Sequence, residues 1–313
     1  MNSFNDFLAE WQKLYKDNDD GFIQLSSDKC KKVMNLGREG DIKIFAIEDI
    51  YSNEKIESSY AIDVEQTKID GKSWFKLKLK NKAYEDVFYR LCWDLVISSI
   101  DSPTPASSIM KKFKEWQTCL QKVGNKRISF SSLMGLYGEL HFLNSCLKRA
   151  KIADNIDLVL SSWQGPHGAD QDFIFEDKWV EVKTVKFDAD AIHISSFDQL
   201  DRDDLGYLHV IYTQCSELNG QSINDLVEEV ESTFSDAVSK DKFLSLIYKV
   251  GYCNEYKQDY EQYKFNILKE FNYEVGDNFP RIRKTNLPTG IKTGRYDIST
   301  DILNTLEPVQ EIF

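Results

Sequence analysis

Asp172-Phe173-Ile174-Phe175-Glu176-Asp177-Lys178-Trp179-Val180-Glu181-Val182-Lys183 is the stretch on which the fold turns. Two short apolar runs flank Glu176-Asp177-Lys178, an arrangement that predicts a β-hairpin. Strand side chains alternate in direction, so Glu181 and Lys183 share one face while Val180 and Val182 take the other. Asp172 opens the partner strand, across the turn from Glu181 and Lys183. Two carboxylates and an ammonium therefore converge.

That set suits phosphodiester cleavage. Mg²⁺ takes hard oxygen ligands at about 2.0–2.1 Å, usually one or two carboxylates plus waters and phosphate. A bound metal acidifies water and offsets charge developing on the phosphate, and a nearby lysine stabilises the same charge. Glu-x-Lys alone carries little information, because it recurs at Glu176-Asp177-Lys178 and Glu255-Tyr256-Lys257. Only Glu181-Val182-Lys183 lies in a strand with an upstream Asp. On these residues alone, an exposed cross-strand ion pair worth about 0.2–1 kcal/mol explains the pattern at least as well.

Upstream, Leu133, Leu136, Leu140, Leu143 and Leu147 recur at helical spacing. Glu139 falls three residues after Leu136 and four before Leu143, beside the apolar stripe and not opposite it. Gly135 and Gly138 each cost a helix about 1 kcal/mol relative to alanine, which predicts close packing on this face. The plainer reading is a boundary glutamate whose stem covers apolar surface. Further strands are predicted at Ile156–Trp163, Ala191–Ser195 and Leu208–Tyr212. A helix followed by apolar strands predicts an α/β (α+β) core, a mixed sheet flanked by helices.

Residues 22–80 read as mostly β, with alternation over Ile42–Ile47 and Trp74–Leu79 and a turn at Asp70-Gly71. Helices are predicted from Tyr84 to Ile100 and after Thr104-Pro105, the latter with the stripe Ile109, Phe113, Trp116, Leu120. After Gly220 the pattern predicts helices at Ile223–Val238 and Phe243–Gly251, then a β run at Tyr263–Ile267. Three stretches follow: a β-rich region with two helices (1–125), the core (126–218), and a helical and β extension with a basic tail (219–313).

The 313 residues carry a net charge of −12, which counts against a simple sequence-independent DNA binder. Divalent cations neutralise an acidic active site, and Arg281, Arg283, Lys284, Lys292 and Arg295 make the tail locally basic, either to hold a phosphate backbone or as solvated charge. Six dispersed cysteines without a Cys-x-x-Cys pair predict buried free thiols. No run approaches the roughly 18 apolar residues of a membrane span, and Met1–Tyr15 lacks signal-peptide character, so a cytoplasmic location is expected. His141 and His193 lie near the motifs without an obvious partner. Gly165-Pro166-His167-Gly168 reads first as a tight connection and second as a loop approaching a ligand.

The ordered set Gly135-Leu136-Tyr137-Gly138-Glu139-Leu140, Ser162-Trp163-Gln164-Gly165-Pro166, Asp172-Phe173, Glu181-Val182-Lys183-Thr184 and Ile194-Ser195-Ser196 with Gln199-Leu200 resembles the PD-(D/E)XK motif protein family. The similarity runs on through Phe279-Pro280-Arg281-Ile282 and Leu287-Pro288-Thr289-Gly290-Ile291 to Tyr296. It implies a restriction-endonuclease-like core and a Mg²⁺-dependent deoxyribonuclease, Mn²⁺ substituting. By position, Glu139 would be the helix acid assisting metal or water, Asp172 and Glu181 the principal metal ligands, and Lys183 the catalytic lysine. The Val182 carbonyl would be a further ligand. Gln199 resembles a glutamine that contacts metal-bound water or substrate, although an ordinary turn glutamine fits equally. Ala169-Asp170-Gln171-Asp172 replaces the literal Pro-Asp, leaving Asp170 as a rival to Asp172. The resemblance further implies a bacterial restriction-like defence role, with DNA as substrate and an ATPase and a methyltransferase as partners. A dimer is compatible with it. The competing reading is an inactive nuclease-like adaptor in such a complex.

Overall fold

A computed structural model describes residues 3–312 apart from 17–19, 26–31, 53–55, 101, 123–127 and 154. The chain is a mixed α+β protein that divides into two compact units, residues 1–127 with 241–256, and residues 128–240 with 257–313. The stretch after residue 218, read from sequence as one extension, is thus shared between them.

The first unit begins with helix α1 (Phe4–Lys16), which the sequence reading lacked. Strands β1 (Gly21–Gln24), β2 (Met34–Glu39), β3 (Ile42–Glu48), β4 (Ile62–Ile69) and β5 (Lys72–Leu79) follow. They form an antiparallel sheet in the order β1-β2-β3-β5-β4. The β4–β5 turn uses Asp70 and Gly71, both at positive φ, as the Asp-Gly pair predicts. Helices α2 (Glu85–Ser99) and α3 (Pro105–Lys122) bury Phe88, Leu91, Leu95, Phe113 and Trp116 in one core with Phe45, Phe75 and Leu77.

The second unit opens with α4 (Phe130–Ala153) and α5 (Ile156–Ser162). The strand expected at 156–163 is therefore a short helix. Its burial explains why: neighbouring Val159 and Leu160 are buried while Leu158 is exposed, a helical and not an alternating pattern. Strands β6 (Phe173–Ile174), β7 (Trp179–Lys186), β8 (Ala191–Ile194), β9 (Gly206–Ser216) and β10 (Gln221–Ser222) follow. Helix α6 (Ile223–Thr233) starts at a capping box between Ser222 and Asp225. It stops at Phe234, so the predicted helix to Val238 is shorter, and α7 (Ala237–Lys249) begins earlier than expected. After α8 (Lys257–Glu261) come β11 (Lys264–Glu274), β12 (Tyr296–Ser299) and α9 (Thr300–Leu303).

The second sheet has the order β10-β11-β9-β7-β6. Its one parallel pairing, β7 with β9, aligns Glu181 with Leu208 and Lys183 with Val210. Because β6 is only two residues long, it covers β7 just at Trp179 and Val180. Beyond Val180 that side of β7 is free for other partners, and the site is built there. β8 pairs with β12 in a small separate sheet.

Candidate active site

The predicted hairpin is present. Phe173 faces Val180 and Ile174 faces Trp179, and the turn closes with Phe175 N–H donating to the Lys178 carbonyl at 2.8 Å. One residue before the ladder, the Asp172 carboxylate takes the place of a strand and accepts the Val182 N–H through Oδ2 at 2.8 Å. The exposed Asp170 makes no such contact, and its charge acts on Lys284.

Glu181 and Lys183 share a face, as strand alternation requires. Lys183 Nζ stands 2.8 Å from Glu181 Oε1, and Glu181 is only 1% exposed. Gln199 binds both partners: its Nε2 donates to Glu181 Oε1 at 2.6 Å, and its Oε1 accepts from Lys183 Nζ at 3.2 Å. The Ser195 N–H also donates to Gln199 Oε1, at 2.7 Å, which fixes the amide's orientation. Gln199, for which the sequence allows either a site glutamine or an ordinary turn residue, thus sits at the centre of the network.

Glu139 arrives from α4. The helix lies close to β7 because Gly138 has no side chain: a Cβ there would come within 1.7 Å of Thr184 Oγ1. Gly135 meets nothing within 4 Å, so only one of the two helix glycines has the packing role expected of both. Glu139 Oε2 accepts the indole N–H of Trp163 at 2.8 Å.

Glu139 and Asp172 keep part of their surface open, yet protein surrounds both carboxyl groups densely. Desolvation, then the Asp172 charge, pushes Glu139 up to about 8, against the Trp163 bond and Lys183. Desolvation raises Asp172 to about 6 despite Lys183 and the Val182 N–H. Glu181 is raised well above the usual carboxylate range, by burial first and by Asp172 second. Burial opposes the charge of Lys183, but Glu181, Asp172 and Glu139 together outweigh it and raise the ammonium. Three carboxylates thus compete for one cation.

That imbalance, together with the Glu181 Oε2 atom, which is buried without a hydrogen-bond partner, fits a divalent cation. Among the described residues no group of three or more His, Cys, Asp or Glu side chains is gathered so as to hold a metal ion. Mg²⁺ does not need one, since it takes one or two carboxylates and keeps several waters.

The basic tail is mostly spoken for. Arg281 donates to the Leu200 and Arg202 carbonyls, Arg283 pairs with Asp201 and Asp203, and Lys284 pairs with Asp198. Lys292 and Arg295 remain exposed. The histidines do have partners: His141 Nε2 lies 3.0 Å from Glu270 and His193 Nδ1 lies 2.8 Å from Asp297. Gly165–His167 forms a 3₁₀ turn ending at Gly168 with φ +71°, the tight connection expected. Cys92, Cys146 and Cys253 are free and buried, but Cys215 is exposed; Cys30 and the Cys119 side chain fall outside the described residues. Among the described residues no helix is long and apolar enough to cross a membrane.

Residues 3–301 match the model of a family described as "Putative PD-(D/E)XK family member (DUF4420)". No curated protein and no solved structure matches the chain.

Proposed function

On the premise that the chain belongs to this PD-(D/E)XK-type family, which the match over nearly its whole length shows, we propose that it is a metal-dependent nuclease that hydrolyses DNA. The observation that carries the reading is the buried Glu181–Lys183 pair bridged by Gln199, with the Asp172 and Glu139 charges acting on the same ammonium. PD-(D/E)XK families generally use divalent metals, and Mg²⁺, with Mn²⁺ as a substitute, is the ion proposed here. When bound, it would supply Lewis acidity toward a phosphoryl oxygen and an acidified water.

The residues divide that work. Asp172 and Glu181 offer hard oxygens at the open side of β7, with the Val182 carbonyl as a further ligand. Glu139 adds a third carboxylate from α4, the helix that packs against β7 at Thr184. Lys183 holds its proton under three neighbouring carboxylates and can stabilise negative charge developing on the scissile phosphate. Gln199 fixes the spacing of Glu181 and Lys183, and its amide is within reach of groups bound beside them.

A second reading, a nuclease-like adaptor without activity, draws on the net charge of −12 and on the neutralised tail. Incubating the purified chain with DNA and with RNA, in Mg²⁺, Mn²⁺ or EDTA, separates the two. Metal-dependent DNA cleavage supports the enzyme; DNA retention without cleavage in either metal supports the adaptor. The restriction-like defence setting, with an ATPase and a methyltransferase as partners, belongs to the same proposal, as do a cytoplasmic location and a dimer. Co-purification of those partners would test it.

A further inference from the structure

We infer that Trp163 is the positioning residue of this site, its indole acting through Glu139 while the segment that carries it holds the backbone of Asp172; the inference rests on the metal-site reading above. Trp163 is fully buried, and its indole N–H donates to Glu139 Oε2 at 2.8 Å. A buried indole N–H needs an acceptor, and the one it has is a carboxylate drawn in from another helix. The segment that carries it grips the second acid as well. Trp163 bridges to Phe173 in antiparallel fashion, and the N–H groups of Gln164 and Gly165 both donate to the Asp172 carbonyl, at 2.7 and 3.2 Å. One three-residue segment therefore sets the Glu139 side chain and the Asp172 main chain together.

Gly165 completes the clamp. A Cβ there would lie 2.4 Å from Glu139 Oε2 and 3.3 Å from the Trp163 indole nitrogen. Only glycine leaves the carboxylate room to meet the indole without being displaced. The two oxygens of Glu139 are thereby given different roles. Oε2 is held by Trp163, and Oε1 is not engaged by that bond. Without the indole, the glutamate could turn away from its neighbours and relieve their repulsion, and the site would lose its third carboxylate.

Groups that orient metal-binding side chains are typically worth about 10–100-fold in metal affinity when removed. The test is calorimetric titration of the full chain with Mn²⁺ and with Mg²⁺. Trp163→Phe keeps the aromatic body but removes the N–H, and should weaken binding about 10-fold. Gly165→Ala leaves Trp163 intact, displaces Glu139 from the other side, and should do the same. Both substitutions keep the main-chain bonds to Asp172 and act on the Glu139 carboxylate, so neither should weaken binding further in a Glu139→Ala background, whereas a merely structural role would subtract equally in both backgrounds. Wild-type affinity retained in both single variants, or equal further losses in the Glu139→Ala background, overturns the inference and leaves the nuclease reading standing. A wild-type chain that binds neither ion overturns both.

Discussion

Strands β5 and β7 carry the same kind of pattern and meet opposite fates. In β5, Trp74-Phe75-Lys76-Leu77-Lys78-Leu79 alternates, and so does Trp179-Val180-Glu181-Val182-Lys183 in β7. Each contributes an ion pair at 2.8 Å: Lys78 with Glu65 from β4, and Lys183 with Glu181 two residues earlier on its own strand. The Lys78 pair is open to water, with side chains 25% and 39% exposed. The Lys183 pair is closed, at 15% and 1%. Alternation fixes which residues share a face, but what lies over that face is decided elsewhere in the chain. On β7 it is the Phe197–Gln199 turn, whose Gln199 bonds both residues, with Ile194 and Leu200 in the apolar cluster that also holds Trp179. Water screens the first pair to a small contribution, whereas the second stands in surroundings where each charge depends on its neighbours.

The largest contrast should be in activity. Lys183→Ala and Asp172→Ala are each expected to lower Mg²⁺-supported cleavage of plasmid DNA by at least about 10²–10³-fold, the scale of losing one group aimed at transition-state charge. Lys78→Ala should stay within about twofold of the parent, as surface substitutions do. Full activity in both site variants would remove the assignment, and a comparable loss in Lys78→Ala would dissolve the contrast between the strands.

Next in size is Gln199→Ala. It strips Glu181 Oε1 of a donor and leaves the Ser195 N–H and Lys183 without the same acceptor. Leaving partly buried groups unsatisfied costs about 1–3 kcal/mol, which urea unfolding of the metal-free protein should register. A change under about 0.5 kcal/mol, the level of an ordinary surface substitution, would mean that water replaces the amide and that the network is open like the β5 pair.

Legibility followed the same division. The hairpin, the shared face of Glu181 and Lys183, and the place of Glu139 beside its helix stripe all depend on local periodicity, and the sequence carries local periodicity in full. Residues 156–162 misled because a short apolar run has no period of its own; packing decided for helix, burying Val159 and Leu160 together. Gln199 was offered by the family resemblance, but local pattern could not separate it from a turn residue, since its partners lie 16 and 18 positions upstream. Trp163 lay within a segment of the family resemblance yet had no role of its own there, because an indole's acceptor is chosen by the fold. The tail stayed ambiguous for a related reason. Arg283 and Lys284 look available in sequence but spend their charge on Asp198, Asp201 and Asp203 from a distant loop.

The pH response should separate the two strands more finely. Asp172 and Glu139 are raised to about 6 and about 8, mainly by desolvation, so folding favours their protonated forms. The sign follows from linkage: this stabilisation is complete below the ordinary carboxylate range and is lost as pH climbs through about 6 and then about 8. Glu229, lowered to about 2 by Lys148 and Asn144, contributes the opposite way and only in acid. In EDTA the melting temperature should therefore fall between pH 6 and 8, and the gain from added Mg²⁺ should grow over the same window. Glu139→Gln should flatten the EDTA profile. A profile already flat in the parent, or a Mg²⁺ gain independent of pH, would show that these carboxylates are hydrated like those on β4.

The smallest effect is the one that calibrates the rest. Lys78 is raised chiefly by its bond to Glu65, yet both side chains meet water, so little of that interaction survives as stability. A double-mutant cycle over Lys78→Ala and Glu65→Ala should give a coupling of about 0.2–1 kcal/mol, shrinking as salt is raised toward 1 M. The same cycle on Glu181 and Lys183 should be less sensitive to salt, because ions cannot enter a pair that is 1% exposed on one side. If the Lys78 coupling were instead large and indifferent to salt, exposure would not be what distinguishes the strands. The burial of the Glu181–Lys183 face would then lose its standing as the reason that chemistry sits on β7.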